Sequence, residues 1–258
     1  MGFVYPLSNA NIAGKTLVIP IISTANVSQL AADLLIATFS LTRLATFDTS
    51  YFIPVVGARE DGAPGITTPF ELYGSDSSSF LVIQQRSPVL KSRKQEYVDT
   101  LLDFIKRSGV GAVLFLSGVD VLNRTDSQMF TPIYQIQPKN APLLASTPLQ
   151  SLNAFPIPTY TSPVSQHPSA GDGATQIPFI PGGGLTRRIL SSVPDGWGTP
   201  TATLLQFVLE GDNRADAHLL AAVVAKVVNP NSAAHEWKQP SSWNQGLFGT
   251  PHEQTLYG

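Results

Sequence analysis

Runs of apolar residues punctuated by short polar stretches set out the elements of this chain. Thr16-Leu17-Val18-Ile19-Pro20-Ile21-Ile22 is a β-branched apolar run, and Lys15 to Ile22 reads as a strand buried on both faces. Asn26 or Ser28 then opens a helix predicted to reach about Leu41, with Val27, Leu30, Ala31, Leu34, Leu35 and Thr38 at helical spacing. Phe47 to Val56 reads as a second strand region, and the Gly- and Pro-rich stretch Gly57 to Pro69 as loop. Glu71 to Tyr73 and Phe80 to Arg86 follow as strands around a polar turn at Asp76-Ser77-Ser78-Ser79. Lys94 to Arg107 carries Tyr97, Val98, Leu101, Leu102 and Ile105 on one helical stripe, which Gly109 stops. Gly111 to Leu116 is again fully apolar. Strands alternating with helices predict an α/β fold of αβα layers around a mainly parallel central sheet, a single domain.

The alternation breaks at residues 139–186, which hold eight prolines but only two charges, Lys139 and Asp172. A segment of this length and composition predicts an extended or partly mobile excursion, set at about 139–176, with room for a short strand near Gln176 to Ile180. Helical character returns with a turn at Leu185 to Leu190. Thr199-Pro200 then reads as a helix start, running through Leu204, Leu205, Val208 and Leu209 to Gly211. A last helix is predicted behind Asn213 and Asp216, with Ala217, Leu220, Ala221, Val224 and Val228 inward and Pro230 as its stop. Residues 1–249 then make one α/β domain and 250–258 a flexible tail.

Composition narrows the classes. Of 258 residues only 13% are charged, 18 acidic against 16 basic, for a net charge of −2. Without a basic excess the chain does not fit a general nucleic-acid binder, and 43% hydrophobic residues exclude global disorder. The absence of cysteine rules out disulfides, thiol catalysis and Cys-based metal sites. Removing residues 139–186 raises the charged fraction only to about 15%, still well under the usual share of roughly a quarter. No apolar run is long enough to cross a bilayer, and no basic segment precedes the first one. Pro6 replaces the Ser or Thr of a myristoylation signal, and the sequons at Asn26 and Asn123 read as chance matches. The expectation is a soluble protein of the cytoplasm, with the nucleus as a second compartment and no membrane partner.

Motifs for catalysis are sparse. Ala13-Gly14-Lys15-Thr16 lacks the leading glycine of a P-loop, because Asn9 stands there, and it precedes its strand instead of following one. Gly182-Gly183-Gly184, with Arg187 and Arg188 beyond, offers either an anion cradle or a tight turn between closely approaching backbones, and the second reading is preferred. His167, His218, His235 and His252 show no ligand spacing, so no metal and no cofactor is expected. Asp33, Asp103, Asp120, Glu210, Asp212 and Asp216 read mostly as caps or solvated charges. The C-terminus is more suggestive. Leu256-Tyr257-Gly258 joins an apolar side chain, a phenol and a free carboxylate into a compact plug, on a leash from Thr250 to Thr255.

Several segments together resemble the proteasome assembly chaperone 2 family. They are Leu17-Val18-Ile19-Pro20 with Ser23 and Asn26 to Leu34, then Ile180-Pro181-Gly182-Gly183-Gly184-Leu185-Thr186. Phe207 to Asn213 with Asp216-Ala217 follows, and then Trp237-Lys238-Gln239-Pro240-Ser241-Ser242-Trp243 with Leu247-Phe248-Gly249. The resemblance implies a chaperone without enzymatic activity. Paired with a sister, proteasome assembly chaperone 1, it would sit on the outer face of the α-subunit ring of the forming 20S core, favouring correct ring formation and disfavouring wrong associations. It further implies that Leu256, Tyr257 and Gly258 match a hydrophobic–tyrosine–any motif that docks between α subunits. Residues 139–176 match poorly. An enzyme of nucleoside-phosphorylase or hydrolase type, using Gly182 to Gly184 as an anion site, stands as the alternative, and a scaffold without a ring partner as a third reading. A cleft joining the glycine loop to convergent polar groups would favour the enzyme; a packed loop would not.

Overall fold

A computed structural model describes residues 2–60, 62–163, 177–230 and 236–245. In chain order the main elements begin with β1 (Val4–Pro6), β2 (Thr16–Pro20), α1 (Val27–Thr38) and β3 (Thr42–Phe47). A small hairpin of β4 (Gly57–Ala58) and β5 (Ile66–Thr67) precedes β6 (Phe70–Gly74), β7 (Phe80–Gln85), α2 (Lys94–Ser108) and β8 (Ala112–Asp120). The rest is β9 (Ile133–Ile136), α3 (Gly184–Ser191), β10 (Thr201–Val208) and α4 (Arg214–Val228).

Eight strands form one sheet in the order β1-β3-β6-β7-β2-β8-β10-β9. Its centre, β7-β2-β8-β10, is parallel, and the strands flanking it on both sides are antiparallel. The apolar runs have no polar face because both faces of the centre are covered. Val82, Val18, Leu114 and Ala202 are paired neighbours across four strands and enter the core that α1 and α4 cover. Leu81, Leu17 and Val113, one residue earlier on each strand, enter the opposite core with α2 and α3. A one-residue slip would exchange the two sets, so this register is held from both sides. Leu17, Val18, Ile19, Leu81, Val113 and Leu114 are fully buried, each worth about 1.5–3 kcal/mol relative to exposure.

Most expected elements are present, and several are corrected. Residues 201–208 form β10, not a helix: the strand lies between β8 and β9 and every one of its residues is buried. The strand expected at Phe47 to Val56 lies earlier, at β3. Asp48 accepts from the Ser50 N–H and turns the chain into a short 3-10 segment at Thr49–Tyr51, which ends that strand. Asn26 holds the N-cap position of α1, but neither it nor Ser28 caps the helix through its side chain. Asn26 precedes the helix in the left-handed region (φ 50°) with no side-chain bond to it, and Ser28 is buried inside the first turn. Strands β1 and β9 were not expected, and the stretch Gly57 to Pro69, read as loop, holds the short β4–β5 hairpin. The first 25 residues of the excursion, 139–163, are packed: Leu144, Leu149 and Leu152 join the α1/α4 core, and Ser151 Oγ donates to the Val227 carbonyl at 2.8 Å. Residues 177–180 form no strand, and Gln176 lies outside the described residues.

Candidate functional site

Leu256, Tyr257 and Gly258 lie outside the described residues, as do His167, His235 and His252. What the structure does place is residues 236–245, which pass the C-terminal end of α1. Trp237 meets the His218 ring edge-on at 5.8 Å. The Lys238 N–H donates to Thr38 Oγ1 at 3.1 Å, at the last turn of α1. The Ser241 hydroxyl and the Ser242 N–H both donate to Glu60 Oε2, at 2.8 and 3.1 Å. Trp243 then turns inward, 5% exposed, into the core between α1 and α4. Burial pulls the Glu60 carboxyl up, but the bonds from Ser242 and Ser241 outweigh it, and the group rests below its ordinary value.

This stretch roofs a cleft of about 440 Å³, walled by Lys238 to Ser241 on one side and by Asp33, Arg59, Glu60, Tyr73 and Arg86 on the other. Its volume lies within the range of small-ligand sites. Its charges, however, are largely engaged with one another. Gln84 Nε2 donates to Asp33 Oδ1 at 2.6 Å, and Arg86 Nη2 stands 3.4 Å from the same oxygen. Burial raises the Asp33 carboxyl, and the Arg86 guanidinium pulls it part of the way back. Beneath the cleft, Glu71 is fully buried in β6. Its Oε1 accepts from Arg43 Nη1 (2.7 Å) and from the Thr68 N–H and hydroxyl (2.9 and 3.1 Å), while Oε2 accepts from the Tyr73 hydroxyl (2.7 Å). Burial and the Glu71 carboxylate both push the Tyr73 phenol up. Asp33 is therefore no solvated charge, contrary to its sequence reading. Only the polar residues standing out of register in the apolar strands β6 and β7, Glu71 and Gln84, could have signalled this network.

The glycine loop is tightly fitted at Gly182 and Gly183. Gly182 sits at φ 74°, and a Cβ there would lie 2.1 Å from Thr24 Oγ1. The loop presses on the turn after β2, where a Cβ on Gly118 would meet the Thr24 carbonyl oxygen at 2.4 Å. Around it, Thr186 donates to Ser117 Oγ at 2.8 Å, the Gly118 N–H to Ser23 Oγ at 2.7 Å, and the Ala25 N–H to Glu210 Oε1 at 3.0 Å. The Glu210 carboxylate thus already lies against the turn that leads into α1. A hollow does touch Gly184 on the outer side of α3, between Gln95, Arg187, Arg188 and Ser192. There Arg187 Nε donates to the Ile177 carbonyl and Arg188 Nη1 to Gln95 Oε1, so both guanidiniums are already engaged. Close approach of Thr24 and Ile180 accounts for Gly182 and Gly183, whereas a Cβ on Gly184 would meet open space. Among the described residues no three His, Asp or Glu side chains gather as a metal site, and no helix is long and apolar enough to cross a membrane.

Comparison with known proteins adds the remaining evidence. The model of the PAC2 family matches residues 17–234. Proteasome assembly chaperone 2 of Xenopus laevis is 34% identical over 248 residues, covering 92% of this chain and 92% of the relative. The protein of the same name from Homo sapiens is 30% identical over 264 residues, covering 97% of each. Among solved structures, Pyrococcus furiosus PbaA, described as an archaeal homolog of proteasome-assembly chaperone, superposes with a TM-score of 0.63. That match is 14% identical and covers 90% of this chain and 84% of the other, so it bears on the fold alone.

Proposed function

The chain belongs to the PAC2 family, and on that premise we propose that it is a proteasome assembly chaperone that acts by binding, without catalysis. The observation that carries this reading is the likeness to proteins named Proteasome assembly chaperone 2 over nearly the whole of both chains. The tight fit of Gly182 and Gly183 agrees with it, because the enzyme alternative relied on Gly182 to Gly184 as an anion cradle.

In finer detail, the protein pairs with a sister chaperone, proteasome assembly chaperone 1, and the pair sits on the outer face of the α-subunit ring. Leu256, Tyr257 and Gly258 enter a pocket between α subunits: the phenol fills an apolar slot, and the terminal carboxylate pairs with a cation at its mouth. The work is done in the cytoplasm and nucleus, where it promotes correct rings and blocks off-pathway contacts. The test is affinity isolation of the tagged full chain. α subunits and the sister chaperone are expected to come with it. Deleting Leu256 to Gly258 is expected to reduce the α subunits while leaving the sister in place. Isolation with no proteasome component would overturn the reading.

A further inference from the structure

We propose that the hollow between α2 and α3 is a docking surface for an acidic segment of a partner protein. Arg187 and Arg188 grip carboxylates of that segment, and Lys91 and Lys94 draw it in.

This chain commonly answers a guanidinium with a carboxylate: Arg43, Arg86, Arg93, Arg107 and Arg214 each pair with an Asp or Glu. Arg187 and Arg188 do not. Arg187 Nε donates to the Ile177 carbonyl at 3.1 Å and Arg188 Nη1 to Gln95 Oε1 at 2.9 Å, both neutral acceptors. These bonds hold the side chains in place and leave their charge unmet. They also leave a two-donor edge on each: the paired Nη groups of Arg187, and the Nε and Nη2 groups of Arg188. Such an edge matches a carboxylate in forked geometry.

The two arginines wall a hollow of about 500 Å³ together with Gln95, Gly184, Ser191 and Ser192. Gly184 adds no side chain to close it. From α2, Gln95 fixes Arg188 through Oε1, while its Nε2 donates to Asp99 Oδ1 at 2.9 Å. One turn before Gln95 stands Lys91, in the 3-10 segment Lys91–Arg93, and Lys94 opens α2 itself. Neither lysine forms an ion pair among the described residues, whereas Arg93, between them, is met by Glu96. Asp99 is the carboxylate tied into this cluster. Set against it are Lys91, Lys94, Arg187 and Arg188, in a chain whose net charge is −2.

The arrangement selects among anions. Single charges spread over two helices, with Asp99 among them, suit several carboxylates along an extended peptide. They do not converge on one point, as a phosphate dianion would need. A nucleic-acid backbone gains little without a wider basic field. Opposite charge on the partner speeds encounter and fixes register, and salt weakens the contact.

The experiment titrates the full chain against a fluorescent decapeptide of alternating Glu and Gly, read by anisotropy at low and at physiological salt. The unaltered chain is expected to bind it, more weakly at the higher salt. Arg187→Gln with Arg188→Gln should cost about tenfold in affinity. Gln95→Glu answers Arg188 from inside the molecule while keeping every cation, and should cost several-fold. Lys91→Gln with Lys94→Gln removes no ion pair, so folding is spared, and should cost about two- to five-fold. Lys106→Gln with Arg107→Gln makes the same change in net charge at the far end of α2. At physiological salt it should cost less than about two-fold. Arg187→Lys with Arg188→Lys keeps the charge, loses the fork and should bind several-fold more weakly. No binding of the Glu peptide, equal losses at Lys106 and Arg107, or full affinity in the double-lysine variant would overturn the proposal. So would preference for a phosphoserine peptide or a dT decanucleotide over the Glu peptide.

Discussion

Glu71 shows how far one buried carboxylate can organise its surroundings. It is fully buried and accepts four hydrogen bonds, so its charge is met by the Arg43 guanidinium and by fixed donors from Thr68 and Tyr73. Removing it strands those donors in a dry site. Glu71→Ala is expected to lower the free energy of unfolding by about 3–5 kcal/mol, as urea titration would measure. A loss under about 1 kcal/mol would mean that water reaches the site. Glu60 behaves differently because it lies near the surface and its value is lowered. A lowered carboxyl contributes stability that is complete above its ordinary value of 4.5 and is lost as pH falls through its native value. The contact of residues 241–242 with Glu60 is therefore expected to hold at neutral pH and to loosen in acid, seen as a change in Trp243 fluorescence that is absent from a Trp243→Phe control. Glu60→Gln should remove the pH dependence while the core stays folded.

At the scale of elements, the helical stripes were the most legible feature. Tyr97, Val98, Leu101, Leu102 and Ile105 in α2, and Ala217, Leu220, Ala221 and Val224 in α4, are buried as their spacing implies. Strand β10 was not legible, for a physical reason. It is buried on both faces, so it has no polar side to reveal a two-residue period, while Leu204, Leu205 and Val208 happen to fall at helical spacing behind a Thr-Pro pair. Its interior also holds polar side chains: Thr203 is fully buried, and its hydroxyl has no partner among the described residues. Thr203→Val keeps the shape and suits a strand, so it is expected to leave stability unchanged or raise it by about 1 kcal/mol in thermal or urea unfolding. A loss of more than about 1 kcal/mol would show that the hydroxyl is bonded. The part-buried network of Asp33, Gln84, Arg86 and Glu71 was equally hidden, because it is assembled from α1, β6 and the end of β7 by the sheet order and by no local spacing.

At the scale of the whole molecule, the low charge that marked the chain has a structural basis in part. The central strands are covered on both faces, and the first part of the proline-rich segment is laid against the α1/α4 core. The described residues form one αβα body in which residues 236–245 are tied to Thr38 and Glu60. In the proposed function, the body would pair with the sister chaperone and the tail would dock on the ring. That division of labour predicts that the two contacts separate cleanly on mutation. The most direct measurement is a titration of the purified heterodimer against a ring of α subunits, with and without Leu256 to Gly258. A buried aromatic anchor of hot-spot strength predicts a loss of about tenfold or more in affinity, with the heterodimer itself unchanged, and Tyr257→Ala should approach the same value. An affinity for the ring that does not change on removal of the three residues would contradict the account.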